Sequence, residues 1–331
     1  MKGEFYMKFG FSLETVNMRA SEPNFKHKLS KTYWVSMFKC ISAAGFEGIE
    51  LPYNPSENGI MCDVCRSGMP ISRLAIDSKY GSPQSFMQLL NSLGIKEITG
   101  FHINPNDTLN ELVEMDDDPN KLFDEFERLA DEAIETLSEL GGKTLVVSAT
   151  PEIGLILETF PEGGWEGLFF KNTVKMLNNI IGKAAEAGIQ TAIKNEFWGL
   201  ARGVGIDAYM KELDPKAFYS PDLGNLKIAG ADIIGVIEKY NVRLANIRFN
   251  DTFFADEEKN FEKTDPEIPA TGAQRVFCDI GDGDIDIPGI YSRLKQYGYK
   301  GYVICESRKT LNVYRALLKM RWYVDNTLAQ S

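Results

Sequence analysis

Charged and amide side chains stand at the ends of several apolar, strand-like segments of this sequence. In the run IKNEFW at positions 193–198, Lys194, Glu196 and Trp198 fall on one face because side chains alternate along a strand. A carboxylate held beside an ammonium group can take up or release a proton, and an indole ring can pack against a sugar. The pattern predicts a polar site at the end of this segment.

Polar residues end further strand-like segments in the same way. They are His102 in GFHIN, Asp222 and Asn225 in SPDLGN, Asn246, Arg248 and Asn250 in NIRFND, and Glu306 in VICESR. If Glu196, Asp222 and Glu306 meet at one place, their repulsion must be offset by a divalent cation or by neighbouring Lys and Arg side chains. Carboxylates so placed can bind Mg²⁺ or Mn²⁺, hold substrate hydroxyls and move a proton between adjacent carbons.

Apolar strand-like segments alternate with amphipathic helical segments along nearly the whole chain, which predicts a parallel sheet. The predicted strands are 7–13, 47–53, 97–103, 143–149, 190–197, 217–222, 243–250 and 301–306. The predicted helices are 28–44, 117–140, 168–187, 231–240 and 288–297. No GxGxxG turn follows the first strand, so eight such units favour a closed (β/α)8 TIM barrel over an open doubly wound sheet.

Two long connections are predicted to be loops, 54–90 after the second strand and 251–287 after the seventh. In a barrel both would lie over the C-terminal face, where the polar strand ends also meet. No linker or shift in composition divides the chain. The prediction is a single domain over residues 1–331.

Composition limits the partners. The net charge of −11 and pI near 4.9 disfavour a nucleic acid, whose binding depends on Lys and Arg displacing counterions. No stretch approaches the ~20 apolar residues of a membrane helix, and the N-terminus lacks the features of a signal peptide, so a cytoplasmic protein without a membrane partner is expected. Cys62 and Cys65 form the one suggestive cysteine pair among five cysteines, and we expect them to be reduced residues of a loop.

Several short motifs, in order and at the expected spacing, resemble the xylose-isomerase-like TIM-barrel superfamily of sugar phosphate isomerases, epimerases and family 2 AP endonucleases. GFEGIEL at 45–51 resembles the second-strand motif GFxGIEL, and DLGN at 222–225 resembles DTGH. AGAD at 229–232 and RLANIRFND at 243–251 are similar to AGxD and RIxHVHxKD. GDGDID at 281–286 and GYVICE at 301–306 are similar to GxGDVDF and GYxxxxE. The resemblance covers most of the chain and implies the same barrel.

The resemblance also implies one divalent metal ion held by Glu, Asp, His and Glu from strands five to eight, and here this sequence departs from the pattern. Lys194 stands where the strand-five Glu is expected, and Arg248 where the strand-seven His is expected. Arg248 cannot bind a metal because its guanidinium stays protonated and has no lone pair to offer. Asn225 replaces the histidine of DTGH, which usually faces the substrate.

Two alternatives follow. In the first, Mn²⁺ or Mg²⁺ binds at a shifted site made of Glu196, Asp222 and Glu306, with Asn250 or His102 nearby. In the second, no metal binds, and Lys194 and Arg248 supply the positive charge that keeps Asp222 and Glu306 ionised.

We therefore predict an enzyme that isomerises or epimerises a small sugar or keto-sugar by abstracting a proton alpha to a carbonyl. The alternatives are a dehydratase or lyase of the same superfamily, which includes C-glycoside-cleaving and keto-sugar-cleaving subunits, and a non-catalytic sugar-binding or complex-forming barrel. A homo-oligomer is expected. The predicted catalytic residues are Glu196, Glu306, His102 and Lys194, and the predicted substrate-binding residues are Asn225, Arg248, Asn250 and Trp198.

Overall fold

A computed structural model describes residues 7–18, 22, 24–55, 67–263, 276–308, 310 and 312–331. Cys62 and Cys65 lie outside these residues. The predicted (β/α)8 barrel is confirmed. Its strands are β1 (Lys8–Ser12), β2 (Gly48–Pro52), β3 (Glu97–Ile103), β4 (Thr144–Ser148), β5 (Gln190–Lys194), β6 (Phe218–Ser220), β7 (Asn246–Phe249) and β10 (Tyr302–Cys305).

The eight barrel strands form one parallel sheet in the order β6-β5-β4-β3-β2-β1-β10-β7. The two ends of this order, β6 and β7, are joined by isolated parallel bridges, which close the barrel. The bridges pair Tyr219 with Leu244 and Asp222 with Arg248. The second bridge lies at the C-terminal ends of β6 and β7. Closure therefore places the side chains of Asp222 and Arg248 on neighbouring strand ends.

Helices cover the outside of the barrel, because parallel strands need long crossover connections. They are α1 (Phe25–Lys28), α2 (Lys31–Ala43), α3 (Arg73–Tyr80), α4 (Pro83–Ser92), α5 (Pro105–Glu114), α6 (Leu122–Glu139), α7 (Ile153–Thr159), α8 (Leu168–Glu186), α9 (Ile206–Glu212), α10 (Leu223–Ile228), α11 (Ile233–Tyr240), α12 (Ile287–Gln296) and α13 (Val313–Asn326). No helix among the described residues combines the length and apolarity needed to cross a membrane.

The lower interior of the barrel is filled by small and apolar residues. A Cβ on Gly48 would lie 2.7 Å from the Thr99 methyl group, and one on Gly10 would lie 3.0 Å from Ile304. These glycines leave the space that the neighbouring side chains occupy. The floor of the barrel is therefore closely packed.

The predicted loop over 54–90 is wrong in its second half, where α3 and α4 lie. Ser72 and Ser82 are the N-caps of these helices, and Pro83 occupies the first turn of α4. These start signals were present in the sequence, but the weak apolar periodicity of α3 concealed them. The connection 251–287 is largely irregular where described, with one short antiparallel pair, β8 (Asp251–Thr252) and β9 (Phe277–Cys278).

Candidate active site

The structure brings together all the charged residues predicted for the site. They lie buried at the C-terminal mouth and comprise His102, Lys194, Glu196, Asp222, Arg248 and Glu306. The amides of Asn225 and Asn250 lie among them, also buried, whereas Trp198 is partly exposed. β5 ends at Lys194 rather than 197, so Glu196 lies just beyond the strand end.

Arg248 is the centre of one half of the mouth. Its guanidinium donates to Glu306 and to Glu50, and to Ser12 Oγ at 3.1 Å. Glu14 lies 3.5 Å away. Burial works to lower the pKa of Arg248, but the surrounding carboxylates, Glu306 first, raise it well above its ordinary value. A single permanent cation therefore neutralises several buried carboxylates.

Lys194 and Glu196 form the core of the other half. Lys194 Nζ donates to Glu196 Oε1 at 2.5 Å and lies 3.8 Å from Asp222. Burial acts to raise the pKa of Glu196, but Lys194, Arg308 and His102 lower it to about 2. Glu196 is thus ionised at neutral pH although it is buried.

Arg308 is a third cation, which the sequence analysis did not assign to the site. It donates to Glu306 at 2.6 Å and lies 3.4 Å from Glu196 and 3.3 Å from Asp222. Its guanidinium lies 5.5 Å from the Trp198 ring centroid and 5.1 Å from that of Phe277. The signal was available, since Arg308 follows Glu306 by two residues.

His102 links two carboxylates across the mouth. Its Nδ1 lies 2.5 Å from Glu14, and its Nε2 lies 2.9 Å from Ser148 Oγ and 4.0 Å from Glu196. Ser148 in turn donates to Glu196 at 3.0 Å. A position at the mouth, predicted for His102 from the end of its strand, is what the structure shows.

Asp222 is held by amides. Its Oδ1 accepts from the Asn225 backbone N–H and from Asn250 Nδ2, both at 2.9 Å. Burial, reinforced by Glu306 and Glu196, raises the pKa of Asp222 against the lowering effect of Arg308 and Lys194.

Three polar atoms of this cluster have no hydrogen-bond partner within the described part of the chain. They are Asn225 Oδ1, Trp198 Nε1 and Arg248 Nε. The other end of the same amide is occupied, since Asn225 Nδ2 donates to Glu196 at 2.7 Å. Buried acceptors and donors without partners at one site are suited to hydroxyl groups, which both donate and accept.

Glu14, Glu50 and Ser148 were also missed. Glu50 carried a signal, because it is a carboxylate inside the buried strand β2. Ser148 ends β4, as other site residues end their strands. Glu14 lies in a 3-10 turn, Leu13–Thr15, that follows β1, and its type and position gave no indication of a role.

A divalent ion does not fit the charges around Glu196, Asp222 and Glu306. No group of three or more Asp, Glu, His or Cys is arranged to hold a metal in the part of the chain that the structure describes. Arg248 and Arg308 both donate to Glu306, and Lys194 donates to Glu196, so cationic donors occupy carboxylate oxygens that an ion would need. An ion there would also meet strong repulsion from these cations.

The sheet and the sequence together define the family. Residues 38–322 match the model of the xylose isomerase-like TIM barrel family, and the chain belongs to that family. The resemblance inferred from the motifs is confirmed.

Two relatives are inosose dehydratases. The protein from Geobacillus thermodenitrificans is 29% identical over 205 residues, which are 58% of this chain and 67% of that protein. The one from Lacticaseibacillus casei is 28% identical over 176 residues, 51% of this chain and 56% of that protein. The chain thus matches about half to two thirds of the length of these relatives.

A sugar phosphate isomerase/epimerase from Parabacteroides distasonis has the same fold. Its crystal structure superposes with a TM-score of 0.64 at 14% identity, covering 99% of this chain and 96% of that one. This likeness supports the barrel fold of the chain.

Proposed function

We propose that this protein abstracts a proton alpha to the carbonyl of a small keto-polyol, a keto-sugar or a cyclic polyol ketone, and that loss of water follows. The observation that carries the proposal is the pair Glu196 and Glu306, two buried carboxylates that Arg308 joins through hydrogen bonds of 3.4 and 2.6 Å. Two carboxylates held at one site can act as base and acid.

The cationic side chains near this pair of carboxylates supply positive charge for the reaction. Proton abstraction leaves negative charge on the carbonyl oxygen, and Lys194, Arg248 and Arg308 are donors that could stabilise it. The proposed reaction therefore does not depend on a metal ion at this site. Asn225 Oδ1 would then accept a hydrogen bond from a substrate hydroxyl, and Trp198 Nε1 would donate one to a substrate hydroxyl. The Trp198 indole would pack beside the substrate ring.

We prefer water loss as the outcome of the reaction. The sequence alone had led us to predict isomerisation or epimerisation first. The support is the similarity to inosose dehydratases, which exceeds 25% identity. Epimerisation and isomerisation start with the same proton abstraction, so they stay as the alternative outcome. A homo-oligomer also stays a prediction, which sedimentation analysis can test.

The test is to incubate the protein in D₂O with an inosose, D-fructose and L-sorbose. We expect deuterium uptake at the carbon beside the carbonyl, which NMR detects. We also expect a new ultraviolet absorption from the conjugated product of water loss. Deuterium uptake without the absorption would instead indicate epimerisation or isomerisation.

Glu196→Gln and Glu306→Gln should each lower turnover by about 10²-fold or more. Glu125→Gln is the matched control, since Glu125 is an exposed partner of Arg128 on the outer helix α6. Full activity of either site variant would contradict the two-carboxylate assignment.

A second candidate, a sugar-binding barrel without catalysis, is favoured by one observation. The carboxylates Glu50, Glu196 and Glu306 already accept from cationic side chains, so the cluster can persist without a chemical task. Saturable binding of a keto-polyol by calorimetry, without deuterium uptake, would favour this function.

A further inference from the structure

A chain of hydrogen bonds runs from the partly exposed Glu14 to the buried Glu196. It passes from Glu14 Oε1 to His102 Nδ1 over 2.5 Å, from His102 Nε2 to Ser148 Oγ over 2.9 Å, and from Ser148 Oγ to Glu196 Oε1 over 3.0 Å. The Glu14 side chain is 24% exposed, whereas that of Glu196 is 2% exposed. The chain therefore connects the edge of the solvent with one of the two proposed catalytic carboxylates.

The direction of each hydrogen bond follows from the number of available hydrogens. Glu196 accepts from Lys194 at one oxygen and from Asn225 at the other, and the nearby cations lower its pKa to about 2, so it is an ionised carboxylate that can only accept. Ser148 must therefore use its single hydrogen on Glu196. The Ser148 oxygen can then only accept a hydrogen bond from His102. Therefore His102 Nε2 must carry a hydrogen.

The other ring nitrogen faces a second ionised carboxylate. Glu14 lies beside His102 and 3.5 Å from Arg248, and the charges of His102, Lys194 and Arg248 together lower its pKa well below the ordinary value although burial acts to raise it. Glu14 therefore accepts, and His102 Nδ1 must donate. Both ring nitrogens carry hydrogens, which makes His102 an imidazolium cation in this arrangement.

We propose that Glu14, His102 and Ser148 form a proton relay that delivers a proton to Glu196. His102 is the proton store, and Glu14 and Ser148 are positioning residues. The relay rests on the proposed function, and it deepens it by assigning proton donation to Glu196 and proton abstraction to Glu306.

The transfer is balanced at each atom. The Nε2–H bond of His102 breaks as its proton moves to Ser148 Oγ, and the hydroxyl proton of Ser148 moves to Glu196 Oε1. His102 becomes neutral and keeps its Nδ1 hydrogen on Glu14, Ser148 regains a hydroxyl, and Glu196 becomes a carboxylic acid. That acid can protonate the leaving hydroxyl of the substrate. After the product leaves, solvent that enters the mouth takes the substrate proton from Glu306 and returns a proton to His102 Nε2, so that both groups regain their starting states.

The charges that face this relay come from five strand ends of the mouth. Glu14 follows β1, Lys194 and Glu196 belong to β5 and its end, Asp222 follows β6, Arg248 lies on β7, and Glu306 and Arg308 follow β10. Among the described residues Glu306 has no such chain; its ion pairs there are with Arg248 and Arg308, which do not release protons. This difference is why donation is assigned to Glu196.

Nuclear magnetic resonance of protein labelled with ¹⁵N-histidine reads the relay directly, because the chain has two histidines, His27 and His102. The signals that persist in His27→Gln belong to His102. At pH 7.5 we expect both ring nitrogens of His102 to be protonated in the wild type, and Glu14→Gln to convert the ring to a neutral form. A neutral His102 ring in the wild-type protein would by itself overturn the relay, whatever the variants show.

Turnover separates the relay from the reaction itself. Ser148→Ala should keep the imidazolium but lower kcat for water loss from an inosose by about 10²-fold. Thr173→Val, which removes a buried hydroxyl that donates within the outer helix α8, is the matched control and should keep full kcat. Full kcat in Ser148→Ala would overturn the relay while leaving the proposed function in place. No wild-type turnover of any keto-polyol would overturn the proposed function and, with it, the relay.

Discussion

The two halves of the barrel mouth hold similar carboxylates but different partners. In the half around Arg248, Glu50 and Glu306 face guanidinium groups, which hold their protons permanently. In the half around Glu196, the partners include the His102 imidazole and the Ser148 hydroxyl, which can pass protons on. The difference indicates that one half supplies fixed charge and the other supplies movable protons.

The largest effect should come from removing the fixed charge. Arg248→Met leaves Glu50 and Glu306 buried without their shared cation, which should lower the free energy of unfolding by about 3 to 5 kcal/mol. Chemical denaturation measures this loss.

Arg73→Met is the control for Arg248→Met. Arg73 makes exposed ion pairs with Asp77 and Glu139, so its removal should cost under about 1 kcal/mol. Equal losses in the two variants would mean that the Arg248 half is not held together by its charge.

Acid should weaken the protein through the other half. The folded pKa of Glu196, about 2, lies below the ordinary carboxyl value of 4.5, so its contribution is complete above pH 4.5 and is lost as the pH falls towards 2. Glu196→Gln should therefore flatten the dependence of unfolding free energy on pH within this window.

Glu152 provides a control of opposite sign. Burial raises the pKa of Glu152, so its folded form binds more protons than its unfolded form. Glu152→Gln should make stability rise more steeply with pH. The same change of slope in both variants would contradict the charge pairing described for Glu196.

The smallest effect is expected from a chelator. Since Lys194, Arg248 and Arg308 already occupy the carboxylates, dialysis against EDTA should leave thermal stability and turnover unchanged. Added Mn²⁺ or Mg²⁺ should not raise either quantity. A loss with EDTA that Mn²⁺ restores would instead establish the shifted metal site of Glu196, Asp222 and Glu306.

The sequence was informative where a pattern is local. Alternation along β5 placed Lys194 and Glu196 on one face, and their 2.5 Å contact follows from that spacing. The eight-strand alternation predicted the barrel, and the order of the short motifs predicted the family. Strand ends were predicted up to three residues too long, as at β5, because polar residues continue the alternation beyond the last ladder hydrogen bond.

Contacts between distant segments depended on closure of the barrel. Arg248 lies 198 residues from Glu50 and 234 from Glu14, and no spacing rule relates such positions. The sequence by itself determined the barrel, the departure of Lys194 and Arg248 from the metal-binding pattern, and the polar residues at the mouth. Only the tertiary structure decided which cation neutralises which carboxylate and that His102 lies between Glu14 and Ser148, because these pairings depend on the distances between strand ends around a closed sheet.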